Sequence, residues 1–257
     1  MSMEHNCILF FIKSPEPGQV KRRLAASLGE TAATELYSTF VLDTLTTLDT
    51  CGANLLVSFY PPEAKKSIAA WLGSHYSYLP QRGGDLGQRM KNGFIDAFDR
   101  GFERVVIVGS DIPDLPRDVI EGAFESLKTR DAVIGPSFDG GYYLIGFKHD
   151  TFQPQAFEGI RWGTETVLQA TTSYLRTKGL SLHTLRTWND IDTVADLKDL
   201  FQRNRQSAFS SSQTISYLWG VRSTLDSCNT TEDRSQNSDG KKKMPKMEKT
   251  GDRMCCH

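Results

Sequence analysis

The segment VVIVGSDIPDLP, residues 105–116, joins a run of four aliphatic residues to an acidic turn. The run lacks polar alternation, which is typical of a strand buried on both faces of a parallel sheet. Gly109 ends it, and Asp111 follows before two prolines. Because ligands of open parallel sheets bind outside the carboxyl ends of the strands, Asp111 lies where a ligand is expected.

Similar apolar segments recur along the chain, with helical patterns between them. Strands are predicted at residues 7–12, 55–60, 76–79, 105–108, 132–135, 142–147 and 182–185. The intervening segments repeat apolar residues at three- and four-residue spacing, which predicts amphipathic helices. Two of these helices have an acidic N-cap candidate, Asp85 and Asp192. The predicted fold class is α/β, with a mainly parallel central sheet and helices on both faces.

The composition excludes several classes of partner. Among 257 residues, 30 basic side chains nearly balance 31 acidic ones, so no overall field favours nucleic acid or anionic lipid. The chain has neither the apolar stretch of a signal peptide nor a run of about 20 apolar residues that would span a membrane. Five scattered cysteines show no zinc-ligand spacing. We therefore expect a cytoplasmic protein that acts on small molecules; the sequence gives no indication of its oligomeric state.

The strand and helix pattern ends near residue 204. Residues 1–204 are expected to form one α/β domain, and residues 205–257 are polar and lack periodicity, which predicts a disordered tail. One segment of the tail, ISYLWGV at 215–221, is apolar enough to dock on the domain.

The stretch KSPEPGQVKRRL, residues 13–24, follows the first predicted strand and crowds four cations around the start of a helix. Such a turn is suited to an anion, and phosphate is the expected guest. The alternative is a solvated basic helix start, in which Arg22 faces water. The predicted phosphate ligands are Lys13, Gly18, Lys21 and Arg23.

The stretch QRGGDLGQRM, residues 81–90, offers a second contact for a nucleotide. Gly83 and Gly84 permit close approach of the backbone to a base or ribose, with Asp85 beside them. A tight turn with an ordinary capping aspartate explains the same residues. Arg89 reaches either a phosphate or solvent.

The acidic turn after residue 108 predicts a metal site. Asp111 is expected to hold a divalent metal ion, which would bridge phosphate oxygens, and the alternative is a turn-forming aspartate. Asp114 is either a second ligand or the start of the next helix.

Two further stretches, SFDGGYYLIG (137–146) and TWNDIDT (187–193), supply the remaining candidates. Asp139 and Asp190 are alternative catalytic bases, and Asp190 is also a candidate metal ligand because Asp192 is interpreted as a helix cap. Gly140, Gly141 and Trp162 are predicted to bind the acceptor, Trp162 being equally suited to a core or lid position. No serine, cysteine or histidine lies in the pattern of a covalent catalyst.

Together the stretches KSPEPGQVKRRL, GGDLGQRM, VGSDIPDLP, FDGGYYLIGF, GIRWGT and NDIDT resemble the DUF2064 family. Its members are glycosyltransferase-like proteins of the GT-A fold, some linked to arsenosugar pathways, and they are distantly similar to guanylyltransferases that activate phospholactate. The resemblance covers about residues 6–204. It implies a nucleotide-diphosphate-dependent transferase with a Rossmann-like sheet.

The resemblance also assigns roles to particular residues. Lys13, Lys21 and Arg23 match a basic motif that binds nucleotide phosphates in the related nucleotidyltransferases. Asp111 matches the acidic position that holds Mg²⁺ or Mn²⁺ in GT-A enzymes. The acids of SDIPD lie three residues apart instead of two, so the D-x-D pattern of those enzymes does not extend to Asp114.

Three functions fit these observations. The preferred one is transfer of a sugar from a nucleotide-sugar to a small-molecule acceptor. The alternative is nucleotidyl transfer from a nucleoside triphosphate to a phosphorylated small molecule, which releases pyrophosphate. The third is a nucleotide-binding module without catalysis, which the concentration of acids and cations at one sheet edge disfavours.

Overall fold

The computed structural model describes residues 5–221 of the chain. Its strands are β1 (Asn6–Lys13), β2 (Asn54–Tyr60), β3 (Ser77–Pro80), β4 (Arg104–Gly109), β5 (Ala132–Pro136), β6 (Tyr142–Lys148) and β7 (Leu182–Thr184). Its helices are α1 (Arg22–Leu28), α2 (Glu30–Leu48), α3 (Lys65–Leu72), α4 (Leu86–Asp99), α5 (Arg117–Ser126), α6 (Val167–Thr177), α7 (Val194–Asn204) and α8 (Gln213–Gly220).

The seven strands form one sheet in the order β3-β2-β1-β4-β6-β5-β7. All neighbours are parallel except at β6, which is antiparallel to both β4 and β5. The chain winds outward from β1 to β3 and then returns to place β4 on the other side of β1. The gap between β1 and β4 is therefore a topological switch point, the place where such sheets bind ligands.

Helices cover both faces of the sheet, as the apolar strands predicted. In β1, Ile8, Phe10 and Ile12 belong to a core that includes residues of α2, α3 and α5. The alternate residues Cys7, Leu9 and Phe11 belong to a second core with residues of α4 and α6. The predicted class, a Rossmann-like GT-A fold with a mainly parallel sheet, is confirmed.

The ends of three helices differ from the sequence-based prediction. The N-cap of α7 is Thr193, not Asp192, because Thr193 forms a reciprocal capping box with Asp196. Asp114 does not start α5, whose N-cap is Pro116. The helix expected from residue 164 begins at Val167.

Residues beyond 204 include a helix that packs on the domain. Asp43 of α2 accepts hydrogen bonds from the backbone N–H groups of Gln213 (3.0 Å) and Thr214 (2.8 Å) at the start of α8. The apolar segment at 215–221 thus docks largely through this helix, whereas residues 222–257 of the predicted tail lie outside the described residues. The predicted boundary at residue 204 stays a prediction. Within residues 5–221, the structure contains no helix of the length and apolarity that crossing a membrane requires.

Candidate active site

A cleft of about 640 Å³ opens at the carboxyl edge of the sheet, beside the switch point between β1 and β4. The turns after β1, β4, β5 and β7 all contribute to its wall. Eight of the residues predicted from the sequence line it: Lys13, Lys21, Arg23, Asp111, Asp139, Gly141, Trp162 and Asp190. The basic turn, residues 13–24, and the acidic turn that contains Asp111 therefore face the same cleft.

Tyr37 of α2 ties these two turns together. Its hydroxyl accepts a hydrogen bond from the backbone N–H of Lys13 (2.8 Å) and lies 3.2 Å from the hydroxyl of Ser110. Burial raises the pKa of Tyr37, so the hydroxyl stays protonated. The end of β1 and the end of β4 are consequently held at a fixed separation.

Lys21 connects the basic turn directly to two carboxylates on the opposite side of the cleft. Its ammonium forms ion pairs with Asp111 and with Asp192, the latter at 3.0 Å, and its side chain is only 3% exposed. Burial alone would lower the pKa of Lys21, but the two carboxylates outweigh it, and the pKa lies above its usual value. Lys21 is therefore charged and already paired with carboxylates, unlike the free phosphate ligand that the sequence predicted.

Three other cations of the turn keep their charge available. Lys13 and Arg22 are exposed and have no ion-pair partner within residues 5–221. Arg23 is 74% exposed and approaches Asp192 only to 3.7 Å, which makes the pair a weak one. Because all three line the cleft, they form a cationic wall that can receive an anionic ligand.

The opposite wall is acidic, and backbone contacts hold it together. The carbonyl of Asp111 accepts a hydrogen bond from the N–H of Ile191 (2.9 Å), which keeps Asp190 and Asp192 beside the acidic turn. Asp139 accepts hydrogen bonds from the hydroxyl of Ser137 and from the N–H of Gly141 (2.8 Å). The two hydrogen bonds fix one oxygen of Asp139 and leave the other available.

Asp190 is the most perturbed carboxylate of this wall. Burial raises its pKa first, and the nearby carboxylates of Asp139, Asp192 and Asp111 raise it further, from 3.8 to about 6. A carboxylate in such surroundings favours either a proton or a cation. It can accept a proton near neutral pH, which is the property of a general base.

Five predicted ligands lie outside the cleft wall: Gly18, Gly83, Gly84, Asp85 and Gly140. The stretch at residues 81–90 forms a tight turn with a capping aspartate, which was the alternative explanation for these residues. Asp85 accepts a hydrogen bond from the N–H of Gln88 (2.8 Å) at the start of α4. Gly83 accepts one from the side chain of Arg89 (3.2 Å). Arg89 itself lines the cleft, with its guanidinium 3.6 Å from the centre of the Tyr60 ring.

Gly140 and Asp114 make contacts that stabilise the fold, and neither lines the cleft. Gly140 has φ +85°, and a side chain there would collide with the carbonyl of Glu165. Asp114 has a side chain only 4% exposed, and it accepts hydrogen bonds from Arg203, Asn204 and the indole of Trp188. Asp114 therefore anchors the end of α7 and is not part of the cleft wall, so the idea that it is a second metal ligand is wrong.

Two polar residues of the cleft wall, Tyr37 and Gln81, were not predicted from the sequence. Gln81 is buried, and its amide nitrogen donates to the carbonyls of Ile12 (3.3 Å) and Ser58 (2.8 Å). Both residues depend on partners more than 20 positions away, which periodicity along one segment cannot detect.

The carboxylates suit a hard divalent cation, although no group of three metal-ligating side chains converges within the described residues. Mg²⁺ commonly takes one or two protein carboxylates and completes its shell with phosphate oxygens and water. Burial raises the pKa of Asp190, the neighbouring carboxylates raise it further, and a bound cation would relieve that repulsion. The donors therefore fit Mg²⁺ or Mn²⁺ bound together with a phosphorylated ligand.

Comparisons with solved structures agree with this fold. A proposed nucleotide-diphospho-sugar transferase from Desulfovibrio desulfuricans G20 is 44% identical, with a TM-score of 0.85 over 88% of this chain and 98% of that chain. A Methanothermobacter nucleotidyl transferase is 12% identical, with a TM-score of 0.56 over 76% of this chain and 95% of that chain, which supports the fold alone. The chain thus has the fold of the nucleotide-diphospho-sugar transferases.

The family follows from a second comparison. Residues 42–164 match the family model described as "Uncharacterized protein conserved in bacteria (DUF2064)". The chain belongs to the DUF2064 family. No curated protein matches the chain.

Proposed function

We propose that the protein transfers a sugar from a nucleotide-sugar to a small-molecule acceptor with the help of a divalent cation. The observation that carries this proposal is the cleft in which the cationic wall of Lys13, Arg22 and the weakly paired Arg23 faces four carboxylates across the switch point. The cationic wall suits a diphosphate, and the acidic wall suits a cation and a proton. The likeness to a relative proposed to be a nucleotide-diphospho-sugar transferase supports the same reaction.

The cationic residues bind the leaving group. Lys13, Arg22 and Arg23 contact the diphosphate, whose negative charge grows as the bond to the sugar breaks. Asp111 would hold the divalent cation, which would supply further charge neutralisation there. Electrostatic stabilisation of this kind requires no covalent intermediate, which agrees with the lack of a recognisable nucleophile in the sequence.

Asp190 accepts the proton of the acceptor. With a pKa of about 6 it is largely ionised at neutral pH and still basic enough to take a proton as the acceptor oxygen attacks. Asp139, fixed by Ser137 and Gly141, positions the acceptor hydroxyl. Activity is expected to rise as pH increases through about 6, and Asp190→Asn is expected to abolish that rise. A role as metal ligand predicts instead that Asp190→Asn weakens Mn²⁺ binding in solution.

A nucleotidyl transfer is the second candidate, and the three available cations of the basic turn favour it. A triphosphate carries more charge than a diphosphate, and Lys13, Arg22 and Arg23 together match that charge. In this reaction an acceptor phosphate attacks the α-phosphorus and pyrophosphate leaves.

Product analysis separates the two reactions. The protein is incubated with Mn²⁺, mixed small-molecule acceptors and either nucleoside diphosphate glucoses or nucleoside triphosphates. Release of a nucleoside diphosphate that depends on an acceptor supports glycosyl transfer, whereas pyrophosphate release with a phosphorylated acceptor supports the alternative. Asp111→Asn is expected to lower either rate at least about a hundredfold. Asp118→Asn, which changes an exposed carboxylate outside the cleft, should not.

A further inference from the structure

One face of the cleft is apolar, and it continues the second core of the domain. Phe11 of β1, Ile107 of β4 and Ile145 of β6 form its floor, and all three belong to the core that α4 and α6 cover. Met90 of α4 closes the side of this floor. The apolar part of the cleft thus lies on the sheet face opposite α2.

Accessible apolar side chains stand above this floor. Leu86, the first residue of α4, is 44% exposed although it is a large aliphatic residue, and it lines the cleft. Tyr142 and Trp162 are partly buried and meet edge to face, with ring centroids 6.4 Å apart. Aromatic rings and an exposed leucine within a concave site are typical of contacts with an apolar or ring-shaped ligand.

Arg89 is the one cation of α4 in the cleft wall, and its guanidinium is already engaged with Tyr60 and Gly83. The other cations of the cleft wall lie on the turn after β1. Lys91 of α4 pairs with Glu158 at 3.0 Å and lies outside this cleft. A phosphate or carboxylate placed against Leu86, Tyr142 and Trp162 would lose hydration and would have only Arg89 as a nearby counter-charge among residues 5–221, a side chain that would have to leave the Tyr60 ring to pair with it.

Resting on the function proposed above, we propose that this face binds an uncharged acceptor with an aromatic or saturated ring and a free hydroxyl group. The ring packs against Leu86, Tyr142 and Trp162, and the hydroxyl reaches the carboxylates at the mouth of the cleft. In the reaction the acceptor O–H bond breaks and Asp190 takes the proton. The oxygen forms a bond to the anomeric carbon, and the nucleoside diphosphate leaves with the electrons of the broken C–O bond.

A charge introduced at Leu86 tests this assignment, and helix α4 supplies a matched control. Leu86→Lys places an ammonium beside the apolar face at an exposed position, so it should not prevent folding. Ile95→Lys makes the same change on the same helix, at a residue that is 37% exposed and lies outside the cleft wall. The probes are 4-methylumbelliferone, which is mostly uncharged near pH 6.5, and its phosphate ester, followed by fluorescence titration.

The unmodified protein is expected to bind the uncharged probe at least about tenfold more tightly than the phosphate ester. Leu86→Lys should reverse that preference, and Ile95→Lys should retain it. Equal or tighter binding of the phosphate ester, binding of neither probe, or identical behaviour of the two variants would overturn the proposal.

A separate measurement isolates the nucleotide site. Thermal unfolding with UDP, GDP or ADP and Mn²⁺ should show the same stabilisation in the unmodified protein and in Leu86→Lys. If no nucleotide stabilises either protein, the proposed function fails even where the probe titrations succeed. If nucleotides stabilise both but the probe preference is absent, only the acceptor assignment fails.

Discussion

At the scale of single residues, Lys21 neutralises part of the negative charge of the acidic wall. Its buried ammonium lies between Asp111 and Asp192, and its backbone has φ +45°, which is uncommon for a residue other than glycine. A divalent cation bound by these carboxylates would have to share them with Lys21. A nucleotide diphosphate could draw the ammonium toward itself, so nucleotide and metal should bind more tightly together than alone.

Lys21→Met is therefore expected to strengthen Mn²⁺ binding in the absence of nucleotide, because two carboxylates lose their counter-charge. The same loss should destabilise the fold by about 1–3 kcal/mol, less than for a fully buried pair because both carboxylates are partly exposed. Thermal unfolding with and without Mn²⁺ measures both effects. Lys13→Met, an unpaired lysine of the same turn, is the control, and an equal Mn²⁺ response in the two variants would refute the idea.

Asp190→Asn is expected to stabilise the protein at high pH. The folded-state pKa of about 6 lies above the unfolded value of 3.8, so the stability that the protonated form provides is lost as pH rises through that interval. Asparagine does not ionise, so the variant does not lose this stability. Its free energy of unfolding near pH 8 should be higher by about 1 kcal/mol, a figure that allows for screening by solvent at this partly exposed carboxylate.

The measurement is thermal unfolding in the presence of a chelator, so that no metal compensates the charge. The gain should shrink toward about pH 4, where the carboxyl group is largely protonated. Asp199→Asn, at an exposed position of α7, should change stability by less than about 0.5 kcal/mol. A gain from Asp190→Asn that does not depend on pH would contradict the assigned pKa.

At the scale of elements, helix α4 packs against the loop that contains Trp162, and Gly87 of α4 lies at this contact. A side-chain carbon on Gly87 would come within 2.5 Å of the carbonyl of Phe157 and 2.6 Å of the indole nitrogen of Trp162. The loop therefore packs against the first turn of α4, and Trp162 contributes to the cleft wall partly because of this close approach.

Gly87→Ala is expected to destabilise the protein and displace Trp162, since the colliding atoms include the backbone. Gly122→Ala in α5 makes the identical change where nothing lies within 4 Å, and it should stabilise the fold by about 0.5–1 kcal/mol. Denaturant unfolding compares the two variants, and the part of the tryptophan fluorescence that Trp162→Phe removes reports the position of Trp162 among the four tryptophans of the chain. Similar effects of the two substitutions would contradict the described packing.

Helix ends mark a limit of prediction at this scale. The segment NDIDT contains four residues that can cap a helix, and the preference of aspartate for the N-cap favoured Asp192. Thr193 is the N-cap because it forms a capping box with Asp196, whereas the carboxylate of Asp192 accepts a hydrogen bond from Lys21, a residue 171 positions earlier. Local propensity cannot include that second contact. Asp85, which has no such competing partner, was predicted correctly as the cap of α4.

At the scale of the whole molecule, the alternation of apolar strands and amphipathic helices was sufficient to predict the fold class. The positions of all seven strands were predicted to within about two residues, and five of the strands are largely buried and poor in polar residues, whereas the short edge strands β3 and β7 are more exposed. The direction of β6 was not predicted, since a buried strand reads alike in parallel and antiparallel pairing.

The site was only partly predictable for a related reason. Residues that directly follow strands, such as Lys13, Asp111 and Asp139, were placed at the sheet edge by topology alone. The roles of Lys21, Tyr37 and Asp114 depend on partners in distant segments, and pairwise contacts of that kind leave no trace in one sequence. Topology therefore predicted where the cleft is, and side-chain chemistry inside it required coordinates.

The most direct test of the account is a calorimetric titration of UDP, GDP and ADP into the protein, with and without Mn²⁺. The account predicts that Mn²⁺ tightens binding of the preferred nucleotide at least about tenfold, that Asp111→Asn removes this gain, and that Lys13→Gln weakens binding under both conditions. Binding by Asp111→Asn that equals the unmodified protein in Mn²⁺, or no nucleotide binding at all, would contradict the claim that the basic and acidic turns act on one ligand.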